Sequence, residues 1–333
     1  MWQATWLYLY LTWIRPMIKW LLRKILGTCE LQRICRGYGG AARTKRVEKS
    51  LKLSKYQVLY VFWNFQCTVL QEITHGGAEC DVDQTVQGII QIKGVSQQKD
   101  PQFAPSLRGC LVQIRGYQEL IHEVEGVRAE AYSSDNQEHE NMLLQLWDHL
   151  MPDTSLESRI TKQWGDIGFQ GDDPRTDFRG MGMLGLHNLF FFADQQTELA
   201  RQVLQHSHHP QYGYSFAIVG INITSLTYSL LVRGKLRTHF YNFPSPPKLS
   251  HFHLLYCEYP HFYNFPSPPK LNHFHLLYCH LLVEFDKFWL AEKPRDVMEF
   301  TRIRNKFEKK LLSLLRDDST VLRGSFVEKG EQS

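Results

Sequence analysis

Apolar residues return every three or four positions along most of this chain, and no convincing alternation of period two replaces them anywhere. A helix shows one face at three-to-four spacing and a strand at period two. The pattern therefore predicts an all-α fold. Leu111, Ile114, Tyr117, Ile121 and Val124 mark one helix over 107–127, and Met142, Leu143, Leu146, Trp147 and Leu150 another over 137–150. Further helices are expected over 178–193, 198–206, 214–232 with Gly234 as its stop, 273–291 and 295–315. With 43% of 333 residues hydrophobic, the chain can bury a sizeable core.

The N-terminus departs from this ordinary composition. Eleven of the first fourteen residues are apolar, with Trp2, Trp6 and Trp13 set among Tyr8 and Tyr10. At about 1.5 Å per residue, fourteen residues cover only part of a bilayer's hydrocarbon core. Over 14–26, Arg15, Lys19 and Arg23 recur on one helical face, opposite Ile14, Met17, Ile18, Leu21, Leu22 and Ile25. That is the make-up of an amphipathic helix lying at an interface, so residues 1–26 are expected to contact a membrane surface. A cleaved signal peptide fits poorly, since the basic residues follow the apolar run. The lack of acids before Glu30 leaves a mitochondrial association open. Basic residues gather between Arg33 and Lys55, and Gly37, Gly39 and Gly40 read as a flexible link to the body.

A net charge of +4, spread along the chain, argues against nucleic acid as a partner, which calls for a concentrated basic stripe. Seven cysteines, odd in number and without a CxxC pair, fit free thiols in a reducing compartment and a cytoplasmic protein.

One segment occurs twice. HFYNFPSPPKLSHFHLLYC at 239–257 returns at 261–279, offset by 22 residues and changed only where Ser250 gives way to Asn272. Two copies are too few for a solenoid. One copy is expected to be extruded as a surface excursion, because closing a longer loop costs little extra entropy, although displacement of the helix near His273 stays open. The duplicated His251, His253 and Cys257, with His273, His275, Cys279 and His280, match no zinc spacing, so no metal site is expected.

The functional signal lies in WGDIGFQGDDPRTDFRGMGMLGL at 164–186. Gly168, Gly171, Asp172, Asp173 and Pro174 spell an exposed, stiff loop, with Thr176 and Asp177 as helix caps. The apolar residues from Met181 onward leave almost no polar face, which predicts a helix buried on most sides. Arg179 stands at the junction of the two. At a helix start a cation opposes the dipole, so Arg179 is expected either to be held by Asp172, Asp173 or Asp177, or to serve a partner. A guanidinium projected from a rigid loop suits delivery of a charged fork to a phosphate. Gly180, Gly182 and Gly185 spell G-x-G-x-x-G, but no strand precedes them, and helix packing accounts for them better than a dinucleotide. Walker A, GxSxG and HExxH motifs are absent from the chain.

These residues resemble the core motif of the small ELMO domain-containing proteins. The likeness runs through Trp164, Gly168-Phe169-Gln170, Pro174, Thr176-Asp177-Phe178-Arg179-Gly180 and Gly182 to Leu186. Cys29 to Ile34, Ser134 to Asn136, Gly213 to Asn222 and Glu284 to Trp289 extend it over nearly the whole chain. The resemblance implies a single multi-helix ELMO domain over 101–316 behind an amphipathic, aromatic-rich N-terminal helix. It is preceded by a membrane-associating segment at 1–36 and a linker with helical extension at 37–100, and followed by a frayed tail at 317–333. It further implies a GTPase-activating protein for Arf and Arl GTPases, with Arg179 as catalytic arginine finger. The partner would carry GTP and Mg²⁺, so the chain needs no cofactor of its own. Larger ELMO proteins, adaptors for an exchange factor, lack this arginine, and a non-catalytic scaffold is the alternative. Trp164 and Phe169 are expected to anchor the loop, and Gln170 and Asp177 to orient it. Against the family pattern, Tyr60 to Cys67 looks inserted.

Overall fold

The computed structural model describes residues 2–53, 81–242 and 268–322. Every regular element among them is helical, as the periodicity requires. The chain forms two compact units, Met1–Gln118 with Phe240–Pro268, and Glu119–His239 with Pro269–Ser333.

The first unit opens with α1 (Trp2–Leu9), a π-helical turn (Tyr10–Ile14) and α2 (Arg15–Leu26), which ends on Gly27 in the left-handed region. It continues through α3 (Glu30–Gly37), α4 (Gly40–Lys52), α5 (Val82–Lys93) and the first part of α6 (Phe103–Ala129). Leu31, Ile34, Val47, Ile89, Leu107 and Leu111 are among its buried residues. The expected flexible link at Gly37 to Gly40 is instead a tight corner between two packed helices. Gly40 takes φ +50°, and Asn242 Oδ1 accepts the Ala41 N–H at 2.9 Å. Acceptance of that backbone donor ties the corner down. Arg43 and Glu48 of the basic stretch are buried, and Tyr241 donates to Glu48 at 3.1 Å.

The second unit holds the rest of α6, then α7 (Gln137–Leu150), two 3₁₀ turns (Lys162–Ile167 and Pro174–Gly180), α8 (Gly182–Gln195), α9 (Thr197–Ser207) and α10 (Phe216–Val232). After α11 (Arg237–Asn242), which straddles the two units, come α12 (Leu271–Glu292), the turn Val297–Glu299 and α13 (Phe300–Leu314). Helix α8 is central: α7, α9, α10 and α12 all pack on it. Met183, Leu184, Leu186, Leu189 and Phe192 are accordingly buried. Inside this core His275 donates from Nδ1 to Asn188 Oδ1 at 2.7 Å, Asn188 donates to Thr224 at 3.0 Å, and Thr224 donates to the Gly220 carbonyl at 3.1 Å. Each buried polar group thus donates a hydrogen bond to the next, which is what makes their burial tolerable.

The two copies of the repeat share one job. His239 to Asn242 of the first copy form the end of α11, and the last residues of the second open α12, where Phe274, His275, Tyr278 and Cys279 are buried. Helix α12 thus begins within the second copy and packs on α8. The expected excursion, the inserted-looking Tyr60 to Cys67, Cys80, Cys257 and the part of the expected frayed tail beyond 322 lie outside the described residues; within 317–322 the chain is held, with Leu322 buried and its N–H donated to His239 Nδ1 at 3.0 Å. Cys29, Cys35, Cys110 and Cys279 are free and buried.

Candidate functional site: an arginine on an anchored turn

The loop at 159–182 is built on a row of aromatic rings. Trp147 meets Trp164 edge-on at 5.5 Å, Trp164 meets Phe169 at 5.9 Å, Phe169 meets Phe178 at 5.6 Å, and Phe178 meets Tyr132 at 5.4 Å. Trp164, Phe169 and Phe178 are buried, and the Trp164 indole N–H donates to the Arg159 carbonyl at 2.9 Å. The first three of these contacts are edge-to-face and add directional energy to simple burial, while Phe178 and Tyr132 are tilted by 30°. The loop is pinned at three points along its length.

Two glycines let its backbone come close to neighbours. Gly168 sits at φ +82°, where a Cβ would fall inside 3.0 Å of the Phe216 nitrogen, and its carbonyl accepts the Ile218 N–H at 3.2 Å. Gly182, at φ +51°, faces the carbonyls of Arg128 and Glu130 just as closely, and Met183 N–H donates to Glu130 at 2.8 Å. Gly185 packs on Phe178 and Ile221, while a side chain at Gly180 would meet nothing. Close backbone and helix contacts account for two of the three glycines in G-x-G-x-x-G.

That contact at Gly182 corrects the expected helix 178–193. The chain breaks at Met181, and α8 starts only at Gly182, because the end of α6 offers its carbonyls there. Arg179 therefore closes the preceding 3₁₀ turn and does not open α8. The turn's cap is Asp173, whose side chain accepts the Arg175 N–H at 3.0 Å; neither Thr176 nor Asp177 fills that role.

Two of the acids near Arg179, Asp173 and Asp177, are engaged by other groups. Arg159, within reach of three acceptors, bonds Glu140 at 2.5 Å, Asp173 at 3.1 Å and the Tyr132 hydroxyl at 3.2 Å, while Tyr132 donates to Glu140. Asp177 Oδ2 accepts the Gln170 backbone N–H. Burial pushes the Asp177 carboxyl up, against the lowering pull of that N–H and of Arg179. Arg179 itself is exposed and makes no hydrogen bond or ion pair with any described residue. No neighbouring acid holds Arg179 in a hydrogen bond or ion pair, although Asp177 feels its charge. Gln170 acts on the loop through its backbone, and its side chain is exposed.

Arg159 is the residue that the sequence did not announce. It lies in an unremarkable polar stretch, and nothing local marks it as partner to Glu140 and Asp173 on other segments. Among the described residues no group of acids, histidines and cysteines is placed to hold a metal ion.

The ELMO/CED-12 family matches residues 122–304, and the chain belongs to that family. It is 45% identical to ELMO domain-containing protein 2 of Mus musculus, over 97% of this chain and 99% of the relative. It is 44% identical to ELMO domain-containing protein 1 of Mus musculus, over 96% and 94%. With ELMO domain-containing protein B of Dictyostelium discoideum it shares 33% identity over 88% and 92%. No solved structure matches the chain.

Proposed function

We propose that this protein is a GTPase-activating protein for small GTPases of the Arf and Arl class, working from the cytoplasmic face of a membrane contacted by residues 1–26. The observation that carries the reading is the unpaired guanidinium of Arg179 on a turn whose backbone is fixed by Phe178 and Asp177. An exposed cation that no acid holds in a hydrogen bond or ion pair keeps its five donors for an incoming anion. The partner supplies GTP, Mg²⁺ and the attacking water. Arg179 enters in trans and neutralises the charge that gathers on the phosphoryl oxygens as the bond to the leaving group lengthens. The open space at Gly180 gives the partner's surface room to reach the arginine.

A finger of this type raises hydrolysis by about 10³ to 10⁵. Single-turnover GTP hydrolysis by candidate Arf and Arl proteins should therefore lose an effect of that order with Arg179→Ala. Arg179→Lys should lose nearly as much, because a single ammonium cannot reproduce the planar fork. Equal stimulation by all three proteins would take the finger role away from Arg179, and no stimulation even by the wild type would leave a binding scaffold as the function.

A further inference from the structure

The first residues of the chain leave in water what a folded protein ordinarily hides. Trp6, Trp13 and Trp20 are 64%, 72% and 61% exposed, with Tyr8, Met17 and Ile25 beside them. α1, the π-turn and α2 follow one another without a break over residues 2–26, a strip about 37 Å long. No residue of α2 is buried.

Three of the strip's four cations are turned the other way. Arg15 lies 3.2 Å from Glu30 Oε1, Lys19 pairs with Glu30 Oε2, and Arg23 donates to the Lys93 carbonyl at 2.7 Å. Lys24 lies over the Trp20 ring at 5.1 Å. Glu30 also accepts from Ser50 at 2.6 Å, and although burial pushes its carboxyl up, Lys19, Ser50 and Arg15 outweigh this and hold it low. Glu30 stays ionised and keeps hold of both cations. The strip is thus held alongside the first unit by its basic edge, with its aromatic edge outward. No described helix is long and apolar enough to cross a membrane.

We propose that residues 2–26 lie flat in the headgroup layer of an electrically neutral bilayer, aromatic edge inward, with Arg15, Lys19 and Arg23 withheld from anionic lipid by Glu30 and the Lys93 carbonyl. This deepens the membrane contact proposed above and rests on it. The donor chemistry selects lipid over a second copy of the chain. The indole N–H groups of Trp6, Trp13 and Trp20 have no acceptor among the described residues. Phosphatidylcholine offers phosphate and ester acceptors at the depth where tryptophan settles. A second identical strip would bring the same donor-only indoles.

The test is flotation of the full-length protein with vesicles of phosphatidylcholine alone, or with phosphatidylserine added, at about 0.05 and about 0.5 M salt. Binding to the neutral vesicles should change by less than about twofold with salt, since few of its contacts are screened. Replacing Trp6, Trp13 and Trp20 together by alanine should weaken it by at least about tenfold while helix content stays unchanged. Glu30→Gln frees Arg15 and Lys19, and should create a preference for phosphatidylserine that salt abolishes. Wild-type flotation that needs phosphatidylserine and is lost in salt would keep the membrane contact and overturn the neutral strip. No flotation with either lipid, together with a dimer in solution that the tryptophan substitutions dissolve, would overturn both.

Discussion

Asp177 Oδ2 accepts the backbone N–H of Gln170 at 2.8 Å, and this bond closes the loop whose next turn ends in Arg179. The acid two residues from the arginine is spent on holding the loop's shape. Arg179 is left without an ion pair or hydrogen bond, although Asp177 feels its charge.

Removing the acceptor should therefore loosen the arginine without unfolding the protein. Asp177→Ala is expected to cost about 1 kcal/mol of stability, the net worth of one such bond, and to lower GTPase activation by about tenfold, as a misplaced finger loses alignment. Asp177→Asn retains a carbonyl acceptor and should keep most of both. Urea titration and single-turnover hydrolysis on the three proteins check this, and an asparagine variant as poor as alanine would show that charge matters more than closure.

Gly168 has no tolerance for a side chain. Its φ of +82° and the Phe216 nitrogen in the path of a Cβ mean that Gly168→Ala must shift the loop from α10. A loss of about 2 kcal/mol or more is expected. Gly180→Ala, with open space around it, serves as the control, and thermal melting of the pair should separate them clearly.

Acid should destabilise the core through His275. Burial, helped by His187, lowers its imidazole from 6.5 to about 4. As pH falls below the unfolded value the unfolded chain takes up a proton that the native one refuses, so stability drops between about 6.5 and about 4. The share of this residue at pH of about 5 is roughly 2 kcal/mol. Urea unfolding of the wild type and of His275→Gln at neutral and acid pH should show a shallower loss in the variant, and parallel curves would refute the assignment.

Deleting residues 243–264 joins Asn242 to Phe265 and restores one copy of the repeat. Every residue that α11 and α12 bury is retained, and shortening a loop changes closure entropy only slowly. The melting temperature should move by no more than a few degrees, upward if at all. A large fall would mean that the extra segment contributes to the packed structure.

Much of the architecture was legible in the residues themselves. An apolar stripe ending at Leu150 places α7 over the same residues that the structure gives it, and the all-round apolar run after Met181 foretells the central position of α8. Local propensity failed where a distant group intervened. The start of α8 moves to Gly182 because the Glu130 carbonyl meets Met183 there, and Gly37 to Gly40 stiffens because Asn242 accepts the Ala41 N–H. Neither partner is near in sequence.

The sequence by itself determined which residues share a helical face, that 164–180 is a rigid loop, and that Arg179 lies in it. Spacing along the chain is enough for that, since helix geometry is local. Only the tertiary structure decided that Asp173 and Asp177 are taken by Arg159 and the Gln170 N–H, leaving Arg179 unpaired. It also decided that the basic edge of the N-terminal strip faces Glu30 and the aromatic edge faces out. Periodicity says which side chains stand together, but which acid a cation meets depends on groups brought close by folding, and those distances are not written in the spacing.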